Sequence, residues 1–445
     1  MATQEISKKN QTETTWRFGE FQLYPGQRLL HRNQTPVALS PKSFDALFCL
    51  VSHAGRLVTK DELMQTLWPS TFVAEANLTN AIVSLRKVVG RDAIRTVSKH
   101  GYRFELPVEG EPGVATEMYQ TFSRAKELIA HRSLEGVRQA REMLWLCLAE
   151  NPGFAPAWAW MGRACAIIAK FGRERSYAEL AHAAFRRAFA IDPDLACAHH
   201  FYTSLETDMG QARQAMQRLG DRLRRHPSEP ETWAGLVQAL RFCGLLDESI
   251  EAHRRAKDLD PTIITSVAHT FFLKGDYGAA IETYGGRAAL YLDAAAWAAM
   301  GQKQQARNLL RQRVARAGCS ELMLAAMTSL QAVIEDRFYD ADALMQAVSP
   351  VEETEMLFYF SRHYAAMGRA EEAMHAIANA ARCGFVCGPQ TLQSDPWLAS
   401  LRVHPGFADS LAQAEKLTRE AQALWEASAP RDSTALTHSP QALSS

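Results

Sequence analysis

The chain has 445 residues, enough for two or three domains at roughly 150 residues each. Lys plus Arg and Asp plus Glu each total 49, so the chain as a whole is no polybasic binder, and a hydrophobic content of 47% excludes wholesale disorder. The neutral sum hides an uneven spread. Residues 16–108 carry 12 basic against 7 acidic side chains, whereas residues 109–445 carry 35 against 40. A basic front on an acidic back is a hint of nucleic-acid contact at that end.

Eight cysteines are scattered singly apart from Cys383 and Cys387, which is no disulfide framework. The start, MATQEISKKNQTETT, lacks the apolar stretch of a secretory signal. No apolar run approaches the roughly 18 residues of a membrane span; the longest, Leu322–Ile334, is interrupted by Thr, Ser and Gln. These features lead us to expect a reduced, cytoplasmic protein without membrane contact.

In chain order, residues 1–15 read as a disordered leader. Phe18, Phe21 and Leu23 read as short strands, with Pro25-Gly26 as a turn, so a small antiparallel sheet is expected. Three helices follow. Ser40 is an N-cap with Pro41 at the first helical position, and Phe44, Leu47, Phe48 and Val51 form one apolar face. Thr59 and Glu62 are spaced as a capping box for a second helix that carries Leu63 and Leu67 and ends at Trp68-Pro69. The third helix is predicted over 75–89, with Leu78, Ile82, Leu85 and Val89 inward and Asn77, Asn80, Ser84 and Lys87 on the opposite side. Residues 94–106, IRTVSKHGYRFEL, read as a β-hairpin with a basic turn. Residues 109–116 read as a linker.

From 117 to 427 the pattern is helical and repetitive, and Val and Ile become sparse. Pro193, Pro227 and Pro261 are spaced by 34 residues, and Gly-x4-Ala recurs at Gly210/Ala215, Gly275/Ala280, Gly301/Ala306 and Gly368/Ala373, with Gly244/Ser249 as a variant. A helix–turn–helix period of 34 is the tetratricopeptide (TPR) signature. Six to eight units are expected, degenerate after Pro261, and residues 428–445 read as a disordered tail. Stacked units of this kind leave a concave surface for peptides or protein helices. Trp158, Trp160, Phe201, Tyr202, Trp233, Trp297, Phe358 and Tyr359 are candidates to line it or to fill the core, and Arg222–His226 is a basic cluster that either meets acidic peptide or is a solvated helix end. The fold class expected is therefore an α+β N-terminal winged helix-turn-helix followed by an all-α TPR-like superhelix.

The segments LSPKSFDALFCLVSHAGRLVTKDELMQTLW, EANLTNAIVSLRKVVG and IRTVSKHGYRF closely resemble the OmpR/PhoB-type DNA-binding domain over nearly all of 16–108. A winged helix followed by TPR repeats resembles receiver-less bacterial regulators of the invasion and virulence-gene type, and also antibiotic-pathway regulators of actinomycetes. The resemblance implies a third helix in the major groove and a wing against the adjacent minor groove. Base edges are read by polar side chains on the outer face of such a helix, and Asn can bond an adenine edge bidentately. The candidate recognition-helix contacts are Asn77, Thr79, Asn80, Ser84, Arg86 and Lys87; the wing candidates are Arg95, Lys99, His100, Tyr102 and Arg103. Only 15 residues precede the winged helix, so control by a phosphorylated receiver is not expected.

The expected function is a sequence-specific transcription regulator. Its partners are double-stranded promoter DNA, a protein or a second copy through the array, and RNA polymerase as a further contact. The alternative is a TPR scaffold whose winged helix does not bind DNA. No phosphate-binding loop, nucleophile elbow or HExxH stands in the sequence, so no enzyme, cofactor or metal is expected; Cys383 and Cys387, with His375 and His404 nearby, have the wrong spacing for a CxxC redox motif and a weak one for zinc.

Overall fold

The computed structural model describes residues 16–430 except 26–27, 69–74, 99, 110–112, 132, 285–290, 316–319 and 352. The leader 1–15 and the tail beyond Pro430 lie outside the described residues. The described residues divide into two compact units: those within 16–131, 136–161 and 187–193 form one, and the others form the second.

The first unit opens on an antiparallel meander, β1 (Trp16–Phe18), β2 (Phe21–Tyr24), β3 (Leu29–Arg32) and β4 (Thr35–Val37). Alternation along β1 and β2 buries Trp16, Phe18, Phe21 and Leu23 against the helices that follow. Helix α1 (Pro41–Ser52) starts as the sequence predicts: the Ser40 side chain accepts from the Ser43 amide, and Pro41 occupies the first turn. Strand β5 (Leu57–Thr59) leads directly into α2 (Lys60–Leu67). The capping box is complete, with Glu62 N donating to Thr59 Oγ1 at 3.1 Å and Thr59 N donating to Glu62 Oε2 at 2.7 Å. Helix α3 (Glu75–Val89) has the predicted limits and buries Leu78, Ile82, Leu85 and Val89. Strands β6 (Ile94–Val97) and β7 (Gly101–Phe104) form the hairpin.

Sequence reading missed β5. It pairs with β7 in a three-stranded sheet ordered β5-β7-β6, which fastens the wing between α1 and α2. Three residues between two helices give no period to read; the pairing is set by the partner strand.

The predicted linker differs from the structure at both ends. Glu109 exchanges two backbone hydrogen bonds with Arg17, at 2.9 and 3.0 Å, and so remains attached to β1. Helix α4 (Gly113–His131) already includes residues 113–116. Its face of Phe122, Ala125 and Ile129 is buried, and Phe122 packs edge-on against Phe154 at 4.9 Å, so the first unit continues through α4 and α5 (Leu134–Glu150).

Beyond these, α6 (Ala155–Gly172) and α7 (Ser176–Ile191) precede a series of helical hairpins. These are α8 (Ala196–Asp208) with α9 (Ala212–Arg225), α10 (Pro230–Phe242) with α11 (Leu246–Leu259), α12 (Val267–Lys274) with α13 (Tyr277–Tyr284), α14 (Leu292–Ala299) with α15 (Lys303–Val314), α16 (Glu321–Ile334) with α17 (Phe338–Ala347), and α18 (Thr354–Ala366) with α19 (Ala370–Arg382). Helix α20 (Pro389–Ser394), a 3-10 helix (Pro396–Val403) and the long α21 (Phe407–Ser428) follow.

The repeat arithmetic is visible in the backbone. Gly210, Gly244, Gly275, Gly301 and Gly368 all adopt φ between 76° and 84° at the turn inside a hairpin. The small residue five positions on, Ala215, Ser249, Ala280, Ala306 or Ala373, is at most 1% exposed where the two helices touch. The α16/α17 hairpin has no glycine and escaped the pattern. Asp336 takes the left-handed position there, at φ 57°, and Ala341 is the buried partner; Asp tolerates that conformation better than most side chains. Trp158 and Trp233 play one structural role, each donating its indole N–H to the carbonyl of the proline six residues earlier, at 2.9 and 3.0 Å. Arg222 is 1% exposed and bonds Glu229 and Asp194, so it holds α9 to its neighbours and is no open anion cluster.

Candidate nucleic-acid interface

The polar face of α3 is what its sequence period requires. With Leu78, Ile82 and Leu85 fixed inward, Thr79, Asn80, Ser84 and Lys87 are exposed on the outer surface and Asn77 is half-buried. Thr79 Oγ1 accepts no role in the core; it donates to the Glu75 carbonyl at 3.3 Å. Val83, 45% exposed, stands among them and was overlooked in the sequence because an apolar residue on a polar face reads as noise.

The start of α3 is fixed by an ion pair between Lys60 on α2 and Glu75 in its first turn. The Glu75 carboxylate beside it pushes the Lys60 ammonium above its usual range. Glu75 also sits where the positive end of the helix dipole favours an acidic group.

Two predicted contacts are placed otherwise. Arg86 donates from Nε and Nη2 to the Ile94 carbonyl at 3.0 and 2.6 Å, and from Nη2 to Thr96 Oγ1 at 2.7 Å. Its guanidinium is spent on joining α3 to β6. Tyr102 is 5% exposed, paired with Val58 and Thr96 across the sheet and lying under Arg86 at 6.0 Å. It supports the wing from inside. Arg86 on the flank of α3 and Tyr102 on the wing read as surface contacts, whereas the bonding of Arg86 to β6 and the burial of Tyr102 in the sheet are tertiary features.

The wing itself presents cations. Arg95 and Arg103 face each other directly across β6 and β7. Like charges in that register repel and weaken a hairpin, and the nearest acid, Glu105, is 4.0 Å from Arg103. A phosphate lying across the two strands would relieve the repulsion. His100 is exposed at the turn, its Nδ1 within 2.8 Å of the Ser98 carbonyl. Lys99, the remaining wing candidate, lies outside the described residues.

Among the described residues no group of three or more His, Cys, Asp or Glu side chains could hold a metal ion, and no helix is long and apolar enough to cross a membrane.

The family described as "Transcriptional regulatory protein, C terminal" matches residues 34–104. The transcriptional regulator HilA of Salmonella typhi is 35% identical over 95 residues, which is 20% of this chain and 17% of that protein. The transcriptional activator CadC of Escherichia coli K12 is 32% identical over 98 residues, 21% of this chain and 19% of that protein. The solved DNA-binding domain of E. coli CadC is 29% identical and covers 22% of this chain and 97% of that domain, with a TM-score of 0.21 over the whole. The chain thus spans under a fifth of the length of these two relatives. The family match thus falls on residues 34–104, the stretch that holds the three helices and the wing, and it is an OmpR/PhoB-type domain that the chain carries there.

Proposed function

We propose that the chain is a sequence-specific, promoter-binding transcription regulator. The winged helix of 16–108 reads DNA, and the array of 117–427 contacts a protein, a second copy or a signal. The observation that carries this reading is the outer face of α3: Thr79, Asn80, Val83, Ser84 and Lys87 exposed, with the apolar stripe locked behind them. Asn77, Asn80 and Ser84 take the base edges, while Lys87, Arg95, Lys99, His100 and Arg103 take phosphates, which position the protein without reading sequence. RNA polymerase is a further contact in this reading, the working compartment is the cytoplasm, and the chain acts by binding rather than by catalysis.

The test is salt-dependent binding of the full chain to promoter fragments recovered from genomic occupancy of the tagged protein, with shuffled duplexes as controls. A regulator shows tight binding to its own sites, with affinity falling steeply as salt rises. Equal and weak binding to every duplex at all salt concentrations would leave the scaffold reading in its place.

A further inference from the structure

A stacked repeat array touches only its sequence neighbours, but this one also closes on itself. Helix α18 meets α6, α10 and α12 from across the array, and much of the contact is ionic. Lys170 Nζ on α6 stands 2.8 Å from Asp208 Oδ1 on α8 and 2.7 Å from Glu353 Oε1 at the start of α18. Arg241 Nε on α10 donates to Glu355 Oε1 at 3.1 Å, across 114 residues of chain. His269 Nδ1 on α12 lies 3.4 Å from the same carboxylate and 2.8 Å from the Tyr359 hydroxyl. An aromatic layer lies beneath: the Arg362 guanidinium sits 4.7 Å from the Phe272 ring, and Phe385 packs on Phe242 at 4.9 Å and on Phe358 at 5.6 Å. Val386 N donates to the Phe242 carbonyl at 2.8 Å, and Thr391 Oγ1 to the Leu273 carbonyl at 2.7 Å.

Buried ions are a costly way to fill a core. Replacing buried ion pairs by apolar residues is often neutral or stabilising, so their retention speaks for a specificity or switching role. Helices α6, α10 and α12 offer Lys170, Arg241 and His269 beside Phe242 and Phe272, and α18 answers with Glu353 and Glu355 two residues apart, followed by Phe358 and Tyr359 a turn later. That is recognition of an acidic, aromatic helix.

Resting on the reading that the array contacts protein, we propose that the face formed by α6, α10 and α12 is a docking surface for an acidic, aromatic protein helix, and that α18 is its resident occupant, displaced when a partner helix of that chemistry arrives. The array is self-occluded until then, and a partner's apparent affinity is lowered by the fraction of time α18 is seated.

The probe is a fluorescent peptide of residues 351–367, titrated against the full chain. In a chain carrying Glu353→Gln and Glu355→Gln, α18 loses its hold while Lys170, Arg241 and His269 remain. The native peptide is expected to bind this chain about tenfold more tightly than wild type, since the occupied fraction falls, and a peptide with both glutamates changed to Gln is not. Equal binding to the two chains, or indifference to the peptide's carboxylates, overturns the assignment. Hydrogen exchange on the wild-type full chain guards against a variant that fails to fold: the amides of α18–α21 are expected to open together while α9–α11 stay protected. Exchange of both blocks only through one global unfolding makes α18 a permanent core helix and overturns the proposal. Capture of a protein by the array with no competition from the peptide overturns the role of α18 while leaving the array's protein contact standing.

Discussion

At the residue scale, the proposed reading of α3 separates side chains that would read bases from those that would hold the backbone. Asn80 is exposed at the centre of the outer face of α3, opposite Ile82 and Leu85. Asn80→Ala is expected to cost about 1–3 kcal/mol on a cognate site and little on random duplex. Lys87, in the last turn, is expected to act on phosphate; Lys87→Ala weakens all sequences alike and lowers the salt slope by about one. Titrations on cognate and shuffled duplexes at several salt concentrations measure both, and equal losses on the two duplexes would remove base reading from this face. Arg86→Ala belongs to a different class. It deletes three hydrogen bonds to β6, so it is expected to destabilise the winged helix by about 1–3 kcal/mol, seen as a lower melting temperature in the absence of DNA.

At the element scale, what could be read from sequence was whatever is fixed locally. Both helix starts, at Ser40 and at Thr59, follow from side chains bonding amides three positions on, and the 75–89 helix follows from its apolar period. What stayed hidden depends on partners distant in sequence: β5 on β7, the burial of Tyr102, and the engagement of Arg86 by β6. The turn glycines show both kinds of information in one residue. Gly210 and Gly301 have nearly the same φ, 76° and 79°, and the repeat pattern announces both. Their surroundings differ. A Cβ on Gly210 would lie 2.9 Å from the Cys383 carbonyl oxygen, brought there by closure of the array, while a Cβ on Gly301 meets nothing within 4 Å. Gly301→Ala is therefore expected to cost about 1–2 kcal/mol for the left-handed conformation alone. Gly210→Ala adds a backbone clash, worth about 1–3 kcal/mol more by analogy with overpacking. Denaturant midpoints of the two variants compare them directly; equal losses would mean the Gly210 turn does not sit against Cys383 in solution.

At the scale of the whole array, the buried charges that close it make its stability depend on pH, with two opposing terms. His363 on α18 is 2% exposed, with Nδ1 3.0 Å from Ser329 Oγ on α16. Burial, helped by the neighbouring Arg362 cation, pushes its imidazole down to about 3. The folded chain therefore keeps this ring neutral while the unfolded chain protonates it below about pH 6.5, so the stability it carries is complete above that pH and drains away on acidification, by about 2 kcal/mol at pH 5. Asp208 works the other way. Burial raises its carboxyl, an effect the Lys170 ammonium offsets only in part and Glu353 reinforces. The folded state thus holds a proton that the unfolded state has released, and acidification stabilises it. The wild-type array is expected to show a shallow pH dependence between 7 and 5 because the two terms oppose each other. His363→Asn keeps a neutral polar side chain beside Ser329 and removes the loss, so its stability should hold or rise over that range. Asp208→Asn removes the gain, so its stability should fall more steeply than that of wild type. Urea midpoints at pH 7, 6 and 5 for the three chains measure the pair of slopes; parallel curves would show that neither group keeps its buried environment in solution.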